Sequence, residues 1–312
     1  MSECYQTRYI YGEALLEAGG RYANVVALDA DLYTSTRTVL FRDAFPDRFV
    51  DMGIAEMDMM STAAGLASCD MVPFVNSFAM FLTAHCYDQL RIQICYPRLH
   101  VVLAGSSAGL TQGPDGASHQ SLEDIALMRA LPNMTVLAPA DAIETRAMTL
   151  AAAGELDGPI YLRLGRYPVP NVHGADYRFA LGKAIRLREG GDVTLLACGH
   201  MVSAAMGAAQ ALEGEGIAAS VVNMSTIKPL DAETVYRATR QSKLVVTVEE
   251  HSIIGGLGGA VAEAMADAGA GVPLLRLGTP DVFGESATAD ELLNKHGLTP
   301  TGICRSVLQA LG

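Results

Sequence analysis

The chain has no run that could anchor it in a membrane, no basic block and no paired cysteines, and each absence removes a class of function. Its most apolar region, "CDMVPFVNSFAMFL" (69–82), is broken by Asp70, Pro73, Asn76 and Ser77. It therefore falls short of the roughly 20 apolar residues that a bilayer span requires. The first ten residues, "MSECYQTRYI", lack the apolar core of a secretory signal. Basic residues are scarce: 22 Lys and Arg stand against 34 Asp and Glu, a formal net charge of −12. Such a surface repels nucleic acid and anionic membranes. An anionic substrate would have to rely on locally placed Arg, Ser or backbone N–H groups. The cysteines (Cys4, Cys69, Cys86, Cys95, Cys198, Cys304) show neither a CxxC pair nor a metal-ligand spacing, a pattern that fits a reducing intracellular compartment. The expectation is a soluble, cytoplasmic protein.

Several catalytic signatures are also missing. There is no GxxxxGK[ST], no GxGxxG, no nucleophile elbow and no metal-ligand cluster. "GGLGG" (255–259) is glycine-rich, but it follows the apolar "VVTVEEHSII" and precedes an Ala-rich helix, so helix packing accounts for it.

Hydrophobic residues make up 50% of the chain and aromatics only 6%. The core is therefore built from Ala, Val, Leu, Ile and Met, the composition of α/β layers. A length of 312 residues accommodates two domains of roughly 150 residues each. Short apolar runs alternate with helical stretches, as in parallel sheets flanked by helices. Strands are expected at 25–31, 73–78, 101–105, 135–141 and 159–164, with helices near 7–18, 55–68, 79–94, 119–130 and 141–153. "YPVPNVHGADY" (167–177) reads as a linker. A second alternating series places strands at 193–199, 220–225, 244–250 and 273–278. The expected architecture is two α/β domains, 1–170 and 171–312, each a mainly parallel sheet flanked by helices.

Ligands of such sheets bind beyond the carboxyl ends of the strands. The first domain concentrates polar residues there: Asp29 and Asp31, Ser106 and Ser107, and Arg163. Glu56, in "DMGIAEMDMM", opens a helix rich in small residues. The helix dipole alone would explain a carboxylate in that first turn, but apolar surroundings would also raise its proton affinity. Phe78 and Phe81 in "NSFAMF" share a helix face and either fill core or stack a planar heterocycle. In "GPDGASHQ" (113–120), Asp115 and His119 can face one pocket if a helix begins near Ser118, and Gly113 and Gly116 would let backbone approach a ligand. A satisfied surface pair is an equally good account of those two residues. Arg163 either snorkels to solvent or holds an anion, whereas Arg166 reads as an ordinary surface arginine. His85 and His251 read as helix-face or packing residues.

Taken together, "DADLYTS", "DMGIAEMDMMSTAAGLA", "NSFAMF", "GLTQGPDGASHQSLEDIALMRALPNMTVLAPAD" and "IYLRLGR" resemble the transketolase family. "TVEEHSIIGGLGGAVAE" and "LGTPDVFGESATADELLNKHGLT" fit that family and its deoxyxylulose-phosphate synthase relatives. The resemblance covers nearly the whole chain but corresponds to the C-terminal half of a full-length transketolase. The family's diphosphate and Mg²⁺ motif, GDG followed by NN, is absent. The resemblance therefore implies a pyrimidine-binding domain plus a transketolase C-terminal domain. A separate N-terminal-half subunit would carry GDG…NN and hold the Mg²⁺, in an α₂β₂ assembly.

The resemblance also implies residue roles. Glu56 would hydrogen-bond the aminopyrimidine of thiamine diphosphate and promote formation of the ylide, Phe81 would stack on that ring beside Phe78, and Asp31 would lie near the thiazolium. Asp115 and His119 would contact donor hydroxyls, with His119 also assisting proton transfer. Ser35 and Arg163 would bind the terminal phosphate of a sugar. The implied reaction is transfer of a two-carbon ketol unit from a ketose to an aldose. Ser107 departs from the pattern, because the family usually has a histidine there, and this suggests an unusual sugar, branched or sulfonated. The alternatives are the β subunit of a 2-oxoacid dehydrogenase decarboxylase, a deoxyxylulose-phosphate-synthase-like enzyme, and a non-catalytic partner subunit.

Overall fold

A computed structural model describes residues 3–312. Short runs of Val, Ile, Leu and Ala, most of them buried on both faces, form the strands of two main sheets beside a small two-stranded one, and the intervening Ala-rich segments form helices that cover the main sheets. The strands are β1 (Cys4–Gln6), β2 (Val25–Asp29), β3 (Phe49–Asp51), β4 (Val72–Phe78), β5 (Val102–Ser106), β6 (Thr135–Leu137) and β7 (Ile160–Arg163). They continue with β8 (Pro168–Pro170), β9 (Ile185–Arg188), β10 (Val193–Ala197), β11 (Ala219–Asn223), β12 (Thr226–Lys228), β13 (Leu244–Ser252) and β14 (Leu274–Thr279).

The first sheet runs β12-β6-β7-β5-β4-β2-β3 and the second β14-β13-β10-β11-β9. Both are parallel except for one edge strand each, β12 and β9. The fold is thus α/β with two domains, each a mainly parallel sheet flanked by helices. β12 crosses between them: it belongs by sequence to the second half, yet it completes the edge of the first sheet by pairing with β6. No helix of the described residues is long and apolar enough to cross a membrane.

The proline-containing segment after β7 is held at several points rather than hanging free. β8 pairs with β1, and Asp141 accepts hydrogen bonds from the backbone of Val172 and His173, both at 2.8 Å. Asp141 also caps the helix Ala142–Gly154 through Glu144 N, so one buried carboxylate fixes a helix start and the interdomain strand together.

Two helices differ from their sequence pattern. The stretch expected as a helix over 79–94 is largely π-helical, in Phe81–His85 and Leu90–Cys95. The helix expected from 119 begins only at Asp124. Tertiary hydrogen bonds hold the chain out of the helix before that point: Ser121 O accepts from Gly109 N at 3.0 Å and Leu122 O from Ser252 N at 2.8 Å. Those bonds, to a loop and to the end of β13, outweigh the amphipathic pattern.

Candidate active site

The carboxyl ends of β2, β4, β5 and β7 open onto one edge of the first sheet, and the chemistry-bearing residues collect there. Asp29, at the end of β2, is fully buried and accepts from Leu32 N (2.6 Å), Thr36 Oγ1 (2.7 Å) and Thr38 Oγ1 (2.8 Å). Burial pushes its carboxyl up to about 6, against the pull of those donors. These bonds order the loop that carries Asp31 and Ser35. Asp31 is exposed, has φ 59°, and donates its N–H to Asp51 Oδ1 at 3.0 Å. The same Asp51 oxygen receives Gly53 N, which ties this loop to the turn preceding Glu56.

Glu56 is the first residue of the helix Glu56–Ala67 and only 6% exposed. Among the described residues its carboxylate has no hydrogen-bond or ion-pair partner. Its charge adds to burial in pushing the Cys86 thiol up to about 12. Cys86 follows the π-turn that begins at Phe81, where Phe81 O accepts from Cys86 Sγ at 3.3 Å. Wide π-turns recur at functional sites, and this one sets Phe81 against Phe78 with ring centroids 6.1 Å apart and planes 28° apart. His119 closes the wall edge-on, 5.3 Å from Phe81 and 6.0 Å from Phe78, with its Nδ1 2.9 Å from Ser118 Oγ.

Asp115 is exposed at the end of the 3₁₀ turn Leu110–Asp115, where Gln112 Nε2 donates to its Oδ2 at 2.5 Å. Gly113 and Gly116 have φ 76° and 74°, so both need glycine's freedom. Their close approach is not toward open space. A β-carbon on Gly116 would lie 2.5 Å from Ser286 Oγ, and Gly113 faces Ala287 O. Gln120 binds Gly113 O and Glu285 O, both at 2.9 Å. The octapeptide therefore rests on the second domain's 284–289 loop and turns Asp115 outward. Ser107 is fully buried, has φ 56°, and lies 3.4 Å by Oγ from Ser106 Oγ.

Arg163 requires a correction. Neither solvent nor a free anion site meets it: its Nε donates to Asp124 Oδ2 at 2.7 Å, and its Nη2 donates to Glu250 O at 2.8 Å. Both partners of the pair are buried. Burial alone would lower Arg163, but Asp124 and then Glu250 hold it above its ordinary value. The anion it holds is internal.

The cations nearest the site are Arg166, which the sequence suggested was an ordinary surface arginine, and the partly buried Arg8 and Arg37, which it did not single out. Arg166 Nη1 lies 3.8 Å from Asp115 Oδ2, and Arg8 Nη1 donates to Ser35 O at 3.2 Å. Burial, then Arg166 and Arg37, lower Arg8, so three guanidiniums crowd this rim. Arg8 and Arg37 both lie over the Tyr9 ring, at 5.2 and 4.5 Å. The available signal was positional: Arg8 and Arg37 flank the segments that meet at the sheet edge, and Arg166 lies just beyond β7.

With this geometry in hand, comparison with known proteins identifies the class. The chain matches the transketolase pyrimidine-binding domain over residues 4–171 and the transketolase C-terminal domain over 182–303. It belongs to the transketolase family. A Methanocaldococcus jannaschii protein with the provisional name transketolase C-terminal section is 44% identical, covering 96% of this chain and 95% of that protein. The 6-deoxy-6-sulfo-D-fructose transketolase subunit SqwH of Clostridium sp. is 42% identical over 96% of this chain and 92% of its own length. A solved split-gene transketolase, described as an inactive β4 tetramer, superposes with TM-score 0.89 at 46% identity, covering 100% of this chain and 99% of its own. The 1-deoxy-D-xylulose-5-phosphate synthase of Synechococcus sp. is 40% identical, but this chain spans only 46% of it.

Proposed function

We propose that this chain is one half of a two-chain transketolase. It would receive the aminopyrimidine end of thiamine diphosphate and the sugar. A partner subunit bearing GDG…NN would hold the diphosphate and Mg²⁺, in an α₂β₂ assembly. The observation that carries this reading is Glu56, a carboxylate only 6% exposed and without a hydrogen-bond or ion-pair partner among the described residues, whose charge reaches Cys86 at the end of the π-turn that begins at Phe81. An unpaired buried acid is expensive, and a heterocycle with ring nitrogens supplies the missing partner. When bound, the cofactor supplies the electron sink that makes cleavage of the ketose C–C bond possible.

Within this chain, Glu56 holds a proton against the aminopyrimidine. Phe81 and Phe78 would stack against that ring, and Asp31 would serve the thiazolium end when the cofactor is bound. Asp115 and His119 orient donor hydroxyls, and His119 moves a proton at a substrate oxygen. Ser35, Arg8 and Arg166 hold the anionic end of the sugar. Arg163, held internally, supports the strand end from which Arg166 extends.

Ser107 is fully buried and does not itself reach a substrate, so the expected contact is corrected to an absence: no imidazole projects from the position where a histidine is usual, which favours a donor other than the common sugar phosphates. The relative named for 6-deoxy-6-sulfo-D-fructose supports a sulfonated sugar as the first candidate. Release of CO₂ from pyruvate would instead identify a deoxyxylulose-phosphate-synthase-like or decarboxylase activity. The direct test of the mechanism is Glu56→Gln in the assembled pair. Turnover should fall by about 10² or more while size-exclusion chromatography shows assembly unchanged. Retained turnover removes Glu56 from the chemistry.

A further inference from the structure

The second sheet has its own topological switch point. β10 connects through the helix Met201–Gly214 to β11 on one side, and the chain returns through the helix Ala232–Gln241 to β13 on the other. The carboxyl ends of β10 and β13 thus flank the crevice where open α/β sheets take ligands. In this protein a first-domain loop occupies it. Glu250, in β13, is 2% exposed, and its carboxylate accepts the backbone N–H of Thr111. A β-carbon at Gly109, where φ is 85°, would lie 2.4 Å from the Glu250 carboxyl carbon, so the loop backbone rests directly on the acid. His200, after β10, is 8% exposed and sets Nδ1 3.1 Å from the other Glu250 oxygen. No side chain of the proposed site comes from β13 or β10.

Thr111 lies in the 3₁₀ turn that ends at Asp115, and the adjacent Gln112 donates its amide to Asp115. We propose that Glu250, backed by His200, is a positioning residue for the substrate turn, so that the second domain sets donor affinity in a site built by the first. This rests on the ketol-transfer reading for its kinetic consequence but not for its structural one. A carboxylate acceptor buried under a loop amide forms a strong charge-assisted bond. Removing it frees the first anchor of the turn and leaves Asp115 poorly aimed, although Glu56 and the aromatic wall stay in place.

Two arms test this. In the isolated chain, hydrogen exchange of residues 109–116 should accelerate about tenfold or more in Glu250→Ala, while Glu250→Gln, which keeps an acceptor, stays within about threefold of wild type. In the assembled pair with 6-deoxy-6-sulfo-D-fructose, the first-candidate donor, Glu250→Ala should raise the donor KM about tenfold. It should lower kcat less than about threefold and leave the affinity for Mg²⁺–thiamine diphosphate unchanged, and Glu250→Gln should restore most of the donor affinity. Unchanged exchange at 109–116 in Glu250→Ala overturns the proposal, as does an equal loss of cofactor affinity. If the wild-type pair does not process the ketose, the ketol-transfer reading fails for that donor, and the exchange arm still decides the role of Glu250.

Discussion

Arg163 and Arg166 leave the same strand end and have opposite environments. Arg163 turns inward to Asp124, 39 residues earlier, and to the carbonyl of Glu250, 87 residues later. Arg166 stays half-exposed beside Asp115. Sequence reasoning recognised that a charge at a strand end needs a reason, but it missed the internal role of Arg163, because both of its partners are remote in sequence. Glu56, Phe78, Phe81 and His119 stood out as candidates at a helix start, a strand end and a glycine-bearing loop, but each also had an ordinary structural reading, and only the family resemblance supplied their roles. The structure brings the two rings and His119 into one wall. For Arg166→Ala we expect the KM for a phosphorylated or sulfonated ketose to rise about tenfold and that for an unphosphorylated ketose to change little. Steady-state kinetics of the assembled pair on both donors checks this, and equal effects on both would remove Arg166 from the anion site.

At the scale of elements, the longer strands were legible to within about two residues at most ends, β6 stopping four residues early, because buried parallel strands are near-continuous apolar runs. β2 and β10, for example, begin where expected and stop two residues early. The short strands β1, β3, β8, β9 and β12 escaped notice, since three or four residues carry too little pattern to distinguish from loop. Helix starts were less legible. The segment 119–123 has helical periodicity, yet it is pinned by Gly109 and Ser252, partners that no local pattern reveals. The helix Asp124–Ala130 instead opens with Asp124, whose carboxylate also receives Tyr161 OH at 2.6 Å. His251 lies nearby: its Nε2 accepts Ala126 N at 3.3 Å, which leaves the ring proton on Nδ1 facing Ser252 O at 2.7 Å. Asp124→Asn would leave the Arg163 guanidinium buried and unpaired. We expect a loss of about 3–5 kcal/mol, measurable by urea denaturation. A change below about 1 kcal/mol would mean that the pair behaves like a surface ion pair.

For the whole molecule, two sheets joined by β12, Glu250 and the Gln120–Glu285 contact form one platform with an acidic surface and a small cationic rim. That platform carries a carboxylate, an aromatic wall and exposed polar groups at its sheet edge, and its sequence has no GDG…NN to hold a diphosphate. The central claim is that this is half of a composite site. Isothermal titration of thiamine diphosphate with Mg²⁺ into the chain alone, and into the chain mixed with a GDG…NN partner, tests it most directly. The account predicts tight, Mg²⁺-dependent binding only in the mixture, with the lone chain binding weakly and without regard to the metal. Tight Mg²⁺-dependent binding to the lone chain would contradict it.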